Sequence, residues 1–258
     1  MGHEIIRQKS PEEEELEAKQ KELSGLEEEM ASLQLELSTL ESELQVFNAM
    51  YLNRFGEKFL LLDELKSKIS AALAALHPED QEKIREAQEA AQRAQETAEE
   101  VKDYVRPDFE EEKFVPSAEL KALFHKVAKA VHPDLAVDEE DRKRRQQFMI
   151  EANKAYKSGD ADRLQQILDA AEMSKPLEEG EDIGVKLIRV IRLISSVRNR
   201  MDAMKKDIDA VRSGDAYLLR ADYEEQGDSL FDAIEKNLDH EIKELEDTLR
   251  SLEEQSQS

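Results

Sequence analysis

Cysteine and tryptophan are absent from this chain of 258 residues, and only 8 glycines and 6 prolines interrupt it. Without cysteine there are no disulfides and no thiolate metal sites, which fits a reducing compartment. Aromatic residues make up 5% of the chain and charged residues 38%. So few large core-filling side chains, among so many Ala, Leu, Glu, Lys and Gln, argue for long helices and coiled coils rather than one large globule. Positive charge is also scarce: 37 Lys and Arg face 61 Asp and Glu, for a formal net charge of −24. That field repels phosphate backbones and anionic headgroups, so neither nucleic acid nor a membrane is an expected partner. The opening MGHEIIRQKSPEEEE has no apolar signal core, and no run approaches 18 apolar residues. A cytoplasmic protein is expected. No Gly-rich phosphate loop, nucleophile elbow or HExxH is present, so no enzymatic activity, cofactor or metal is expected.

High charge is also compatible with disorder, and periodicity decides against it. From Leu23, apolar residues recur at alternating steps of three and four: Leu26, Met30, Leu33, Leu37, Leu40, Leu44, Phe47 and Tyr51. Four heptads of this pattern predict a coiled-coil helix that cannot bury its seam alone. Ser10, Pro11 and a run of Glu predict its capped start. An irregularity is expected near Gly56 and a break at LHPED (76–80), because proline inside a helix costs about 3 kcal/mol. A small-residue seam follows at Ile84, Ala87, Ala91, Ala94, Ala98 and Val101. Two more seams come late in the chain. One runs through Leu187, Val190, Ile194, Val197, Met201, Met204, Ile208 and Val211, ending at Ser213–Gly214–Asp215. The other, over about 216–255, runs through Phe231, Ile234, Leu238, Ile242, Leu245, Leu249 and Leu252. No strand pattern appears. The expected fold is all-α, a helical hairpin inserted between long antiparallel coiled-coil helices. Its parts are N-terminal coiled-coil helices (1–102), a linker or clasp (103–116), a compact module (117–172), a linker (173–184) and C-terminal coiled-coil helices (185–258). Pairing within one chain and across a homodimer both satisfy these seams.

The compact module breaks the heptad habit. Ser117 is a predicted N-cap, and Leu120, Leu123 or Phe124, Val127 and Val131 form one apolar stripe. Pro133 forces His132 out of the helical region, so the helix stops there. After a polar loop, DEED (138–141) supplies a negative first turn to a second helix burying Phe148 or Met149, Ala152, Ala155 and Tyr156. Ser158–Gly159–Asp160 ends it, and a short helix follows. Two helices so joined are an αα-hairpin.

ELKALFHKVAKAVHPD (119–134) resembles the second helix and signature loop of a J domain, the module of DnaJ-type co-chaperones. FMIEANKAY (148–156) is similar to that family's third helix, whose pattern closes on Asn153, Lys154, Ala155 and Tyr156. A random His-Pro-Asp arises in a chain this long with odds on the order of one per cent. The resemblance covers roughly 50 residues. Phe124 stands where the family usually has Tyr, and Met149 and Ala152 where it has Phe and a larger aliphatic residue. The family's first helix is not visible before Ser117; Tyr104, Val105, Phe109, Phe114 and Val115 are the expected replacement clasp. There is neither a Gly/Phe-rich linker nor a cysteine-rich zinc region.

From Ser117 to Lys157, nine Lys and Arg face seven acids, giving +2 inside a chain of −24. Lys121, His125, Lys129 and His132 fall near one face of the first helix, opposite the apolar stripe, with Lys126 flanking it. Such a face steers toward an acidic protein surface. The resemblance implies docking on the ATPase domain of a DnaK-type chaperone through this face and the loop. Asp134 would offer a charge-assisted, bidentate bond to a partner Arg. Pro133 would fix the backbone so that Asp134 and the His132 ring project together, with His132 meeting the partner or bracing the loop. The action implied is a shift in the partner's equilibrium toward ATP hydrolysis. The coils would serve dimerisation or grip an unknown client or adaptor. A structural coiled coil whose hairpin is only a spacer is the alternative.

Overall fold

The computed structural model describes residues 9–102, 104, 114–173 and 182–256. Among them are eight α-helices and no strand: α1 (Pro11–Leu76), α2 (Gln81–Lys102), α3 (Ala118–Val131), α4 (Glu139–Lys157), α5 (Ala161–Met173), α6 (Ile183–Ser213), α7 (Asp215–Gln226) and α8 (Asp228–Ser256). One 3-10 turn, Pro133–Leu135, joins α3 to α4. Local chemistry sets the boundaries. At the start of α1, the Ser10 N–H donates to Glu13 Oε2 at 2.8 Å and the Glu13 N–H to Ser10 Oγ at 3.3 Å, a reciprocal cap. Pro78 ends α1, and Asp80 Oδ1 accepts from the Glu82 and Lys83 N–H groups that open α2.

Two breaks differ from expectation. No irregularity occurs at Gly56, which lies buried inside α1. A helical glycine costs only about 1 kcal/mol relative to Ala, and the buried Phe55 and Leu62 beside it outweigh that. The final helix, expected to be continuous, divides at Gly227, whose φ of 61 and ψ of −146 belong to a region essentially reserved for glycine. Gly214 caps α7 with an ordinary φ of −75, and Asp215 is the first residue of that helix.

The chain folds into two compact units. The first combines the chain up to Glu43 with Phe114–Ser213. Leu23 and Met30 of α1 share a buried seam with Val190, Ile194, Val197, Met201 and Met204 of α6. Ion pairs mark its register: Glu22 with Arg198 at 2.6 Å, Glu29 with Lys205 at 3.1 Å and Glu36 with Arg212 at 2.7 Å. Both members advance by seven together, so the helices run parallel.

The second unit combines Leu44–Lys113 with Gly214–Ser258. Phe47, Phe55, Leu62, Phe231 and Leu238 form its core, with the Tyr223 and Phe231 rings stacked 4.3 Å apart. Arg54 pairs with Asp232 at 3.0 Å, Lys58 with Glu235 at 3.2 Å and Lys66 with Glu241 at 2.9 Å, so α8 also runs parallel to α1. The helix α2 runs against α1: Thr97 donates to Asp63, and Asn53 to the Tyr104 carbonyl. Of its expected stripe, Val101 is buried while Ala91 is exposed.

The antiparallel expectation is thus right for α2 and wrong for α6 and α8. Heptads read identically in both directions, so the seams carry no sense. Within the first unit α6 runs with α1, and within the second α8 runs with α1 while α2 runs against it.

Candidate partner-binding site

The hairpin forms as its sequence requires. Ser117 Oγ accepts from the Leu120 N–H at 3.1 Å and starts α3. Leu120, Phe124, Val127, Ala128 and Val131 are buried against Met149, Ala152, Ala155 and Tyr156 of α4. Phe124 lies 4.4 Å from the Tyr156 ring, and Arg145 Nη1 donates to the Ala130 carbonyl at 2.9 Å, which makes α3 and α4 antiparallel. At the end of α4, Gly159 takes a φ of 70 while the Asp160 N–H reaches the Ala155 carbonyl at 2.8 Å. That is a Schellman closure, and Asp160 in turn caps α5 at Arg163. Leu164 and Ile167 of α5 complete the core.

The cover over the hairpin differs from the expected clasp. Val105 and Phe109 lie outside the described residues. Tyr104 meets Asn53 in the second unit. Val115 is 79% exposed, and only Phe114 packs on the hairpin, edge-on to Tyr156 at 5.5 Å. The cover is α1 itself, with Ala31 and Leu35 in the hairpin's core. Ser38 Oγ donates to Asn153 Oδ1 at 3.0 Å, and the Thr39 and Tyr156 hydroxyls lie 2.8 Å apart. The hydroxyl run beside Leu37 was the available signal, but its partner lies more than a hundred residues away in sequence.

At the loop, His132 is extended (φ −61, ψ 128), as a residue before proline should be. Its ring lies 3.9 Å from the Asp134 carboxylate but is itself withdrawn from solvent. The side chain is buried, and Nδ1 accepts the Asp134 backbone N–H at 3.2 Å, so the imidazole braces the turn. Burial pushes its pKa down to about 4; Asp134 opposes that shift, while Arg200 and Arg145 add to it. The ring is neutral at pH 7. Asp134 keeps 22% of its side chain exposed, and no Lys or Arg of the described residues pairs with it. Leu135, the next residue, packs into the seam between α1 and α6.

Asp141 holds the loop from the other side, a role the crowded DEEDRKRR sequence conceals. It is 4% exposed, accepts from Arg144 and from Arg145 Nε at 2.8 Å, and takes the Val137 N–H at 3.2 Å. Burial raises its carboxyl pKa, but the two guanidinium bonds outweigh that and hold it below the usual range. The spacing to Arg144 and Arg145, three and four residues on, was the only sequence signal.

The expected basic face is divided. Lys121 and Lys126 are exposed. Lys129 pairs with Glu28 of α1 at 2.5 Å, while His125 lies 3.1 Å from Ser32 and 3.7 Å from Glu28. His132 is not on that face. Among the described residues there is no cluster of His, Cys, Asp or Glu able to hold a metal, and no helix long and apolar enough to cross a membrane.

The chain matches no protein-family pattern, no curated protein and no solved structure.

Proposed function

We propose that this protein is a co-chaperone whose α3–α4 hairpin docks on a DnaK-type chaperone and stimulates its ATP hydrolysis. One observation carries the reading. The carboxylate of Asp134 stands partly exposed on a braced turn, with no Lys or Arg of the described residues bonded to it. A buried imidazole, a proline and the Asp141–Arg145 pair all hold that turn. So much structure fixing one carboxylate lets a partner guanidinium bind without ordering the loop first. Lys121 and Lys126 remain available to steer an acidic partner. The coils would dimerise or hold a client or adaptor.

The test is steady-state ATP hydrolysis by the cognate chaperone with and without the full chain. Stimulation that disappears in Asp134→Asn and weakens in Lys126→Glu supports the reading; equal stimulation by Asp134→Asn removes it. A second reading, a structural or adaptor coiled coil with the hairpin as a spacer, is favoured by the Glu28 contacts to Lys129 and His125. It predicts that Asp134→Asn is neutral in cells, whereas a charge at Ile194, in the seam, abolishes function.

A further inference from the structure

Beside the loop, the first half of α6 has a character unlike the rest of the chain. From Ile183 to Met201 there is no Asp or Glu, while Lys186, Arg189, Arg192, Arg198 and Arg200 supply five cations in a protein of net charge −24. The same stretch leaves Val185 at 51% and Ile188 at 54% exposure, where a helix facing only water would carry polar groups. A groove of about 590 Å³ separates this face from the loop. Asp134, Asp138, Glu139 and Arg142 line its loop side and Arg189 and Arg192 its α6 side, with apolar surface from both walls, Val185 and Ile188 among it. Among the described residues, Arg192 has no carboxylate partner and Asp134 has no Lys or Arg partner.

Acidic groups thus stand on the loop wall and cations on the α6 wall of one partly apolar groove, and Asp134 and Arg192 face it without an ion-pair partner of the Lys, Arg or carboxylate kind among the described residues. The exposed part of Asp134 opens beside α6, so a cation approaching it meets that helix. We propose that α6 is the second wall of the docking site: the groove receives a segment of the chaperone that sets an Arg on Asp134, an apolar side chain on Val185 and Ile188, and a carboxylate on Arg192. This rests on the co-chaperone reading and extends it from the hairpin to a surface made jointly with α6. Unlike charges on the two walls also fix the direction in which the segment lies.

The experiment titrates the full chain against the ATP-bound chaperone and reads half-maximal stimulation. Ile188→Asp and Arg192→Glu should each raise that concentration about fivefold or more, as expected for losing an interfacial apolar or charged contact. The control Ile191→Asp, also exposed (44%) but outside the groove, should match wild type. Unchanged thermal unfolding of all three keeps a folding defect out of the result. If Ile188→Asp stimulates as well as wild type, or better, while Asp134→Asn is silent, α6 is no part of the docking site and the proposal is overturned. If wild type itself does not stimulate, the co-chaperone reading fails and the groove's assignment falls with it. Sedimentation with phosphatidylglycerol–phosphatidylcholine vesicles that is lost in Ile188→Asp would assign the face to anionic lipid and also overturn the proposal.

Discussion

The Asp134 N–H donates to His132 Nδ1 at 3.2 Å, and the Asp134 carboxylate lies 3.9 Å from that same nitrogen, so a buried imidazole backs a carboxylate that keeps 22% of its side chain exposed. Division of labour within the tripeptide follows: His132 fixes the turn, Pro133 sets its backbone, and Asp134 is the group that, on the function proposed above, would meet the partner.

Because His132 is buried neutral, stability depends on pH in a defined window. Above pH 6.5 the folded and unfolded chains both hold a neutral imidazole. Between pH 6.5 and about 4 the unfolded chain takes up a proton that the folded chain refuses, so stability falls as pH falls. The full loss is at most about 3 kcal/mol. Urea unfolding of wild type and His132→Gln at pH 7 and pH 5 isolates it: the wild-type drop should exceed that of the variant. Equal drops would mean that the ring stays solvated.

Removing the Asp141 carboxylate should be costly. Asp141→Ala leaves the largely buried Arg145 without its anion and the Val137 N–H without an acceptor. A loss of about 3 kcal/mol is expected in chemical denaturation. Arg145→Lys should lose less, since an ammonium can still pair with Asp141 but cannot also reach the Ala130 carbonyl as a planar fork does.

Tyr156 separates hydrogen bonding from packing. Tyr156→Phe deletes only the contact to the Thr39 hydroxyl and should cost about 1 kcal/mol. Tyr156→Ala also empties a fully buried site against Phe124 and should cost about 4 kcal/mol. If Tyr156→Phe equalled Tyr156→Ala in thermal unfolding, the hydroxyl rather than the ring would hold the site.

The parallel sense of α1 and α6 can be read by a charge-reversal cycle. Glu29→Lys and Lys205→Glu should each destabilise slightly, and the double reversal should recover about 0.5 kcal/mol at low salt. Zero coupling for this pair and for Glu22 with Arg198 would exclude the register described.

Much of this architecture is legible in the sequence. Every seam from Leu23 to Leu252 falls in a helix, and Pro78, Pro133 and Ser158–Gly159–Asp160 end helices as proline and glycine chemistry requires. Helix direction is not legible, because a heptad has no polarity; the ion pairs that fix it are one choice among many Glu and Lys combinations. Gly56 and Gly227 look alike in sequence, yet one sits in a helix and the other breaks one, since neighbouring packing decides between them. At the loop, the tripeptide was evident, while the inward turn of His132 and the cover from Ser38 and Thr39 depend on contacts that only the folded chain creates.

Neither unit is continuous in the chain, and this limits how the hairpin can be transplanted. A fragment spanning residues 117–172 would carry Phe124, Tyr156 and the loop, yet leave behind the Ser38 and Thr39 hydroxyls, the Glu28 carboxylate and the seam that receives Leu135. Such an excised hairpin would expose apolar surface and lose partners for Asn153 and Tyr156. A graft into another protein would need residues 9–43 joined to 114–213 by a new connection in place of 44–113, with the chain ended before Gly214.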